Sequence, residues 1–361
     1  MMVYRNSILI VVLLWNCSEK QMDNIVCGDW KNYTAKNSGL LTNYVQDIAV
    51  DQENTLWITT GNTYGDWTPR STDGRLISLR NNKWNYYETE MFDHSKFFFN
   101  KLFIDSNGEI FLSVNGGNLR QTSWFLSFSI SEGWRRYDTD DDSFHYLAFG
   151  ECDKQVVINS NRFIFSLDTA DRYLDTLLVK SSEPLNQEQY YHLIPKYGFT
   201  FLDKKNMWFY SYQGVSKYEL NLKKLELVSE ISFFEASKWS KSRDKGYPDN
   251  IWKKNDSTLW VGYDNGIYEI QNDSINNFFT PTNIKLNRIL DLRFDKNGTA
   301  WLINFHKLIS FDGIKWTDHS INGLSHKDYL ECLEIDKKNN LWIGTKNRGL
   351  FKKNLIDFNN I

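Results

Sequence analysis

The stretch 331–353, ECLEIDKKNNLWIGTKNRGLFKK, is the unit that the rest of the chain repeats. Residues 332–335 alternate as a strand does, Cys332 and Glu334 against Leu333 and Ile335, and stop at the polar turn Asp336–Asn340. Leu341–Gly344 (LWIG) reads as a second strand, Asn347–Gly349 as a turn and Leu350-Phe351 as the start of a third. The unit is a β-meander. The phrase returns as Asp47–Asp51 before Leu56–Thr59, as Leu102–Asp105 before Ile110–Leu112, and as Leu202-Asp203 before Met207–Phe209. Two more copies end in Leu259–Gly262 and, after Leu292–Asp295, in Ala300–Leu302; a weaker one runs from Cys152-Asp153 into Val156–Ile158. Their central positions, 57, 111, 157, 208, 260, 301 and 342, lie 41 to 54 residues apart. Seven such units of about four short strands predict an all-β chain, a seven-bladed β-propeller.

The aspartates at 51, 105, 203, 295 and 336 hold a fixed place after each first strand, which predicts side-chain bonds that secure the turn. Trp57, Trp208, Trp260, Trp301 and Trp342 in the second strands, and Trp84, Trp134 and Trp316 in outer strands, are expected to pack between blades. Asp29–Tyr33 (DWKNY) copies the outer-strand phrase 315–319 (KWTDH), and a Gly-Leu pair follows each, at 39–40 and 323–324. The last unit runs out without such a strand. Residues 29–34 are therefore expected to supply it, closing the propeller with an N-terminal strand and removing an open edge.

The phrases Asp336–Thr345 (DKKNNLWIGT), with Gly349-Leu350 after it, and Asp51–Thr60 (DQENTLWITT) resemble the two-component regulator propeller repeat. That family occurs in extracytoplasmic sensor regions of bacterial hybrid histidine kinases and in free-standing proteins. The resemblance spans nearly all of residues 30–353 and implies the propeller fold; it constrains function weakly.

At 361 residues and 41% hydrophobic content the chain can bury a large core, and the repeats leave no room for a second domain. A formal charge of −3, with no basic stripe interleaved with aromatics, argues against nucleic acid as a partner. At the N-terminus, Arg5 precedes the apolar run Ile8–Leu14, too short to span a bilayer, so the segment reads as an export signal. Leu14–Cys17 (LWNC) resembles a bacterial lipoprotein box, with Trp15 and Asn16 in place of the usual small residues. Ser18–Lys20 resembles the tract that follows the cysteine in surface-exported lipoproteins of the Bacteroidetes. The resemblance implies residues 1–16 as lipoprotein signal peptide, 17–28 as a lipidated tether with Cys17 the modified residue, and 29–361 as the propeller. Two or more acyl chains make a stable anchor. The implied location is extracytoplasmic, on the outer membrane or cell surface, with a periplasm-facing form also open. Cys27, Cys152 and Cys332 make neither a disulfide framework nor a paired-cysteine metal site.

Two loops break the repeat rhythm. Gly61–Gly74 carries Tyr64, Trp67 and Arg70, and Phe233–Asn250 carries Trp239, Arg243 and Tyr247. In propeller topology both loops lie on one face, which makes these six residues the candidate ligand-binding set. His94, His145, His192 and His326 stand 8 to 11 residues ahead of Asp105, Asp153, Asp203 and Asp336. The first three are candidate metal ligands, although their offsets differ and no carboxylate phrase repeats beside them. No cofactor motif, nucleophile elbow, phosphate loop or His-Glu-x-x-His phrase is present in the sequence. The expected function is therefore binding of a glycan, small ligand or envelope protein, in a free-standing form that passes its state to a signalling partner. A lyase or hydrolase acting at the channel mouth is the alternative class, and a pure protein scaffold the third.

Overall fold

The structure, a computed structural model, describes residues 30–61, 75–91, 97–116, 124–138, 148–160, 163–168, 174–179, 199–201, 205–211, 214–221, 224–232, 250–263 and 266–355. They form seven four-stranded antiparallel sheets, one per sequence unit. Blade 1 runs outward through Val45–Val50, Leu56–Thr60, Leu76–Arg80 and Lys83–Tyr87. The innermost strands of blades 2 to 7 are Phe97–Ile104, Ala148–Cys152, Phe199–Phe201, Asn250–Asn255, Asp291–Phe294 and Leu330–Ile335. Each lies beside the innermost strands of its two neighbours, and blade 7 meets blade 1, so together they ring a central channel. The weak third unit is a full blade, with Gln155–Asn159 in register against Ala148–Cys152.

The turn aspartates explain the repeated phrase. In Asp51, Asp105, Asp295 and Asp336 one carboxylate oxygen accepts the amides two and four residues on, at 2.8–2.9 Å. Asn54, Gly108, Gly298 and Asn339 sit between those amides at φ of 62°, 84°, 82° and 61°. Asn and Gly adopt this left-handed conformation at least cost, which is why the turns carry them. The other oxygen accepts the indole N–H six residues on, from Trp57 at 2.9 Å and from Trp301 and Trp342 at 3.0 Å. Blade 2 has Phe111 there and keeps only the turn bonds; Asp203 lies outside the described residues.

Blade 5 solves the same problem differently. Lys254, six residues before Trp260, stands where the aspartate would be. Glu269, directly across from Trp260 on the third strand, accepts the indole N–H and the Lys254 ammonium, both at 2.9 Å, and the Asn277 amide at 2.7 Å. Burial pushes this carboxyl up, but the three donors bring it below the usual range.

Blades stack on both faces, so both sides of an innermost strand can be buried. The alternation expected at 332–335 is accordingly absent: Cys332 and Leu333 are both fully buried. Ring contacts join the blades as expected from the tryptophans. Trp57 meets Phe128 of blade 2 at 6.2 Å, and Trp260 meets Phe294 and Phe311 of blade 6 at 5.0 and 6.1 Å. The glycine of the repeat permits this closeness. A Cβ on Gly344 would lie 2.3 Å from Cys332 Sγ and 2.7 Å from Val45 Cγ1 of blade 1.

The Asp turns and the hairpins joining third to fourth strands share one face of the ring, the turn face. The chain enters each innermost strand from the opposite, loop face. In blade 7 the outermost strand is Lys31–Tyr33, with Lys31 opposite Lys352 and Tyr33 opposite Leu350. Asn32 Nδ2 donates to Arg348 O at 2.9 Å, and Gly349 N donates to Asn43 O at 2.9 Å. Tyr33 lies between Trp342 and Trp84, at 5.8 and 5.9 Å, and so bridges blades 7 and 1. Trp30 and Tyr33 are both buried. Truncating a buried aromatic costs about 3–5 kcal/mol, so deletion of residues 29–36 is expected to lower the melting temperature of the whole ring in one cooperative transition. Unchanged thermal unfolding by circular dichroism would show that this strand does not hold the ring together.

Candidate functional site

The innermost strands carry the channel wall, and two register positions recur in it. One lies opposite the residue two past the central aromatic position and holds Asp47, Ala148, Asn250, Asp291 and Cys332 in blades 1, 3, 5, 6 and 7. Lys101 holds that place in blade 2, where its amide bonds Ser113 Oγ. The other position faces the central residue itself and holds Ala49, Phe103, Gly150, Thr200, Trp252, Arg293 and Glu334. At these positions the charges fall in an arc over blades 6, 7, 1 and 2. Blades 3 to 5 show only small, polar or aromatic residues there among those described.

Two aspartates of the arc clasp one blade to the next by the same bond. Asp47 Oδ2 accepts the Leu102 amide of blade 2 at 3.0 Å, and Asp291 Oδ2 accepts the Leu333 amide of blade 7 at 3.1 Å. Asp47 also lies 3.5 Å from Lys101 Nζ. Arg293 bonds Asp291 on its own strand and Glu334 of blade 7, the latter at 3.1 Å. Although ringed by protein, the Lys101 side chain is 52% exposed, because it reaches into the channel.

β-Bulges extend the arc toward the loop face. The strand register shifts at Gln46, Asn100 and Glu331 in blades 1, 2 and 7, which re-aims their side chains. Gln46 Nε2 donates to Asn100 Oδ1 at 3.2 Å, while Glu331 faces Lys346 Nζ at 3.6 Å. Lys346 also lies 5.4 Å above the ring of Tyr329, an exposed side chain flanked by His306 at 4.7 Å. An aromatic platform thus adjoins the charged arc at the channel mouth.

Burial pushes the carboxyls of Asp47, Glu331 and Glu334 above the usual range, against the pull of Lys101, Lys346 and Arg293 respectively. Asp47 raises the Lys101 ammonium in return. Burial opposes charge on Arg293, yet Asp291 and Glu334 hold its guanidinium above the ordinary value. Burial drives the Cys332 thiol well up, which leaves it protonated and a poor nucleophile.

The loop residues expected to bind ligand, Tyr64, Trp67, Arg70, Trp239, Arg243 and Tyr247, lie outside the described residues. So do Cys17 and His94, His145 and His192. His326 is exposed on the loop face, and among the described residues no three His, Cys, Asp or Glu side chains group as a metal site requires. Sequence reasoning missed the arc. Its signal was present as charges inside otherwise apolar inner-strand phrases: Asp47, Lys101, Asp291, Arg293, Glu331 and Glu334.

A carboxyl whose pKa is raised on folding favours the folded state when protonated and costs stability once ionised. Stability linked to Glu331 is thus present below its unfolded value and lost as pH rises through the raised folded value. Relative to wild type, Glu331→Gln is expected to gain melting temperature on going from about pH 4 to about pH 7. A difference that shrinks over this window would show that its partners outweigh its burial.

Residues 39–62 and 323–347 match the family model described as two component regulator propeller. No curated protein sequence matches the chain. Among solved structures, a catalytically inactive virginiamycin B lyase from Staphylococcus aureus with quinupristin is similar at 15% identity and a TM-score of 0.66, over 90% of this chain and 99% of that one. A streptogramin B lyase is similar at 16% and 0.65, over 90% and 96%. The extracellular domain of a putative hybrid two component system from B. thetaiotaomicron is similar at 13% and 0.63, over 90% of this chain and 39% of that one. Likeness at these identities carries the fold alone. The chain is thus a seven-bladed propeller, with one segment near each end of the blade series matching the two component regulator propeller model.

Proposed function

We propose that the chain is a lipid-anchored extracytoplasmic binding propeller, an accessory to envelope sensing, that takes a glycan, a small polar ligand or an envelope protein at the loop-face end of its channel. The charged arc beside Tyr329 is the observation behind this reading. Asp47, Asp291, Glu331 and Glu334 are set against Lys101, Arg293 and Lys346. Charges already paired in this way suit recognition of a polar surface better than proton transfer, since none is left free to act as a base. The sensor domains of similar fold favour an extracytoplasmic place, and the lipoprotein-like box favours Cys17 as the anchor.

A second reading, a lyase or hydrolase, draws on the lyases of similar fold and on the carboxyls that burial holds closer to protonation at the mouth. Thermal shift of the protein against panels of glycans and metabolites, with and without EDTA, separates the two. A ligand that is recovered intact, raises the melting temperature, and loses that effect in Lys101→Met is the expected result. At a hundredfold excess over its Kd such a ligand stabilises by about 2.7 kcal/mol. A ligand consumed in the assay would favour the enzyme, and a co-purified protein with no small-molecule shift would favour a scaffold.

A further inference from the structure

The turn face has a composition of its own. Ile314, 93% exposed, and Ile130, 78% exposed, are the most exposed large apolar side chains among the described residues. Both stand at the tips of hairpins between third and fourth strands, in blades 6 and 2, and both therefore project from the turn face. A single exposed isoleucine needs no partner; two on hairpin tips of one face mark it as apolar-tipped.

Beside Ile314 in the ring, the blade 7 turn exposes Lys337 and Lys338, and Lys31 and Lys352 face each other across the neighbouring strands. Burial lowers the Lys352 ammonium against the pull of Asp336, and repulsion from Lys31 and Lys338 lowers it further, so these three cations crowd one another. Asp336 is buried and held by its own turn, and Glu53 pairs with Arg80.

The polypeptide arrives on this same face. Lys31 opposes Lys352 and Tyr33 opposes Leu350, while Leu355 N donates to Asn339 O of the Asp turn at 3.0 Å. The third strand of blade 7 thus ends at the turn face, and the antiparallel strand Lys31–Tyr33 begins there. In sequence only residues 18–29 separate Cys17 from Trp30, a span of at most about 45 Å fully extended.

We infer that the turn face lies on the membrane, with Lys31, Lys337 and Lys338 over anionic lipid headgroups and Ile130 and Ile314 entering the interface. The inference rests on the anchoring at Cys17 proposed above. Basic side chains near a bilayer are drawn to anionic headgroups, apolar tips gain by leaving water, and an acyl anchor keeps both within reach. The channel mouth, with Tyr329 and the arc, is then presented away from the bilayer to whatever diffuses or projects toward it.

The test uses the full-length lipidated chain in a Cys27→Ser background, carrying Ile314→Cys or Lys327→Cys labelled with bimane. Cys152 and Cys332 are buried and do not compete for label. The chain is reconstituted on phosphatidylcholine vesicles containing phosphatidylglycerol and a headgroup nitroxide lipid. Quenching at 314 several-fold above that at 327 is expected, falling to the level at 327 in pure phosphatidylcholine or in the Lys337→Glu, Lys338→Glu double variant. Equal quenching at both sites, stronger quenching at 327, or quenching at 314 that ignores lipid charge would overturn the inference while a salt-washed, vesicle-retained chain keeps the anchor. A chain that washes off the vesicles as readily as its Cys17→Ala variant would overturn the anchor and the orientation together.

Discussion

A carboxylate fixed by its own turn and an indole N–H six residues on are the contact that sets the blade. Burying a tryptophan removes about 150–250 Å² from water, worth about 4–6 kcal/mol before ordering costs. That gain has no direction. In a sheet with one wet face, a one-residue slip would expose every apolar side chain, so hydrophobicity alone would choose the register. Propeller strands are buried on both faces, and Cys332 beside Leu333 shows that alternation has lost its meaning here. The Asp–Trp bond restores the choice. It joins the turn to the second strand at 2.9–3.0 Å in blades 1, 6 and 7, and a slip would leave a buried indole and a carboxylate unmatched. Blade 5 underlines the constraint, because where the turn loses its aspartate Glu269 supplies the acceptor from across the sheet.

With register fixed, every innermost strand delivers its residues to the channel at known heights. Sevenfold repetition of the scaffold then leaves the channel free to be asymmetric. Charges collect over blades 6, 7, 1 and 2, and they do structural work as well as forming a recognition surface. Asp47 and Asp291 each cap an amide of the next blade, an innermost-edge donor that would otherwise face the channel unpaired. Bulges at Gln46, Asn100 and Glu331 carry the polar surface up to Tyr329. A ligand drawn to this wall meets groups whose positions are already set by the joints between blades.

The fold was legible because its determinants are local. Asp51, Asn54 and Trp57 lie within one turn and one strand, and the same spacing at 336, 339 and 342 makes the repeat visible without knowing any tertiary contact. Even the phrase at 29–33 betrayed its kinship with 315–319, and the strand Lys31–Tyr33 pairs in blade 7. The arc was not legible for the opposite reason. Asp47 and Lys101 are distant in sequence, and so are Arg293 and Glu334; they meet only because adjacent blades place equivalent positions side by side. Glu269 was missed similarly, since its partner Trp260 sits across a strand pair rather than along the repeat. The long loops, whose aromatics are conspicuous in sequence, fall outside the described residues.

The Asp–Trp contact is best measured by a double-mutant cycle at blade 1, with Asp51→Asn, Trp57→Phe and the double variant unfolded in denaturant beside wild type. Asparagine turns a donor toward the indole and phenylalanine removes the N–H, so each single change breaks the bond while keeping the fold's volume nearly intact. A coupling free energy of about 1–3 kcal/mol is expected for a buried hydrogen bond to a charged acceptor. Costs that add to within about 0.5 kcal/mol would show that the tryptophan is held by packing alone and that register has another source.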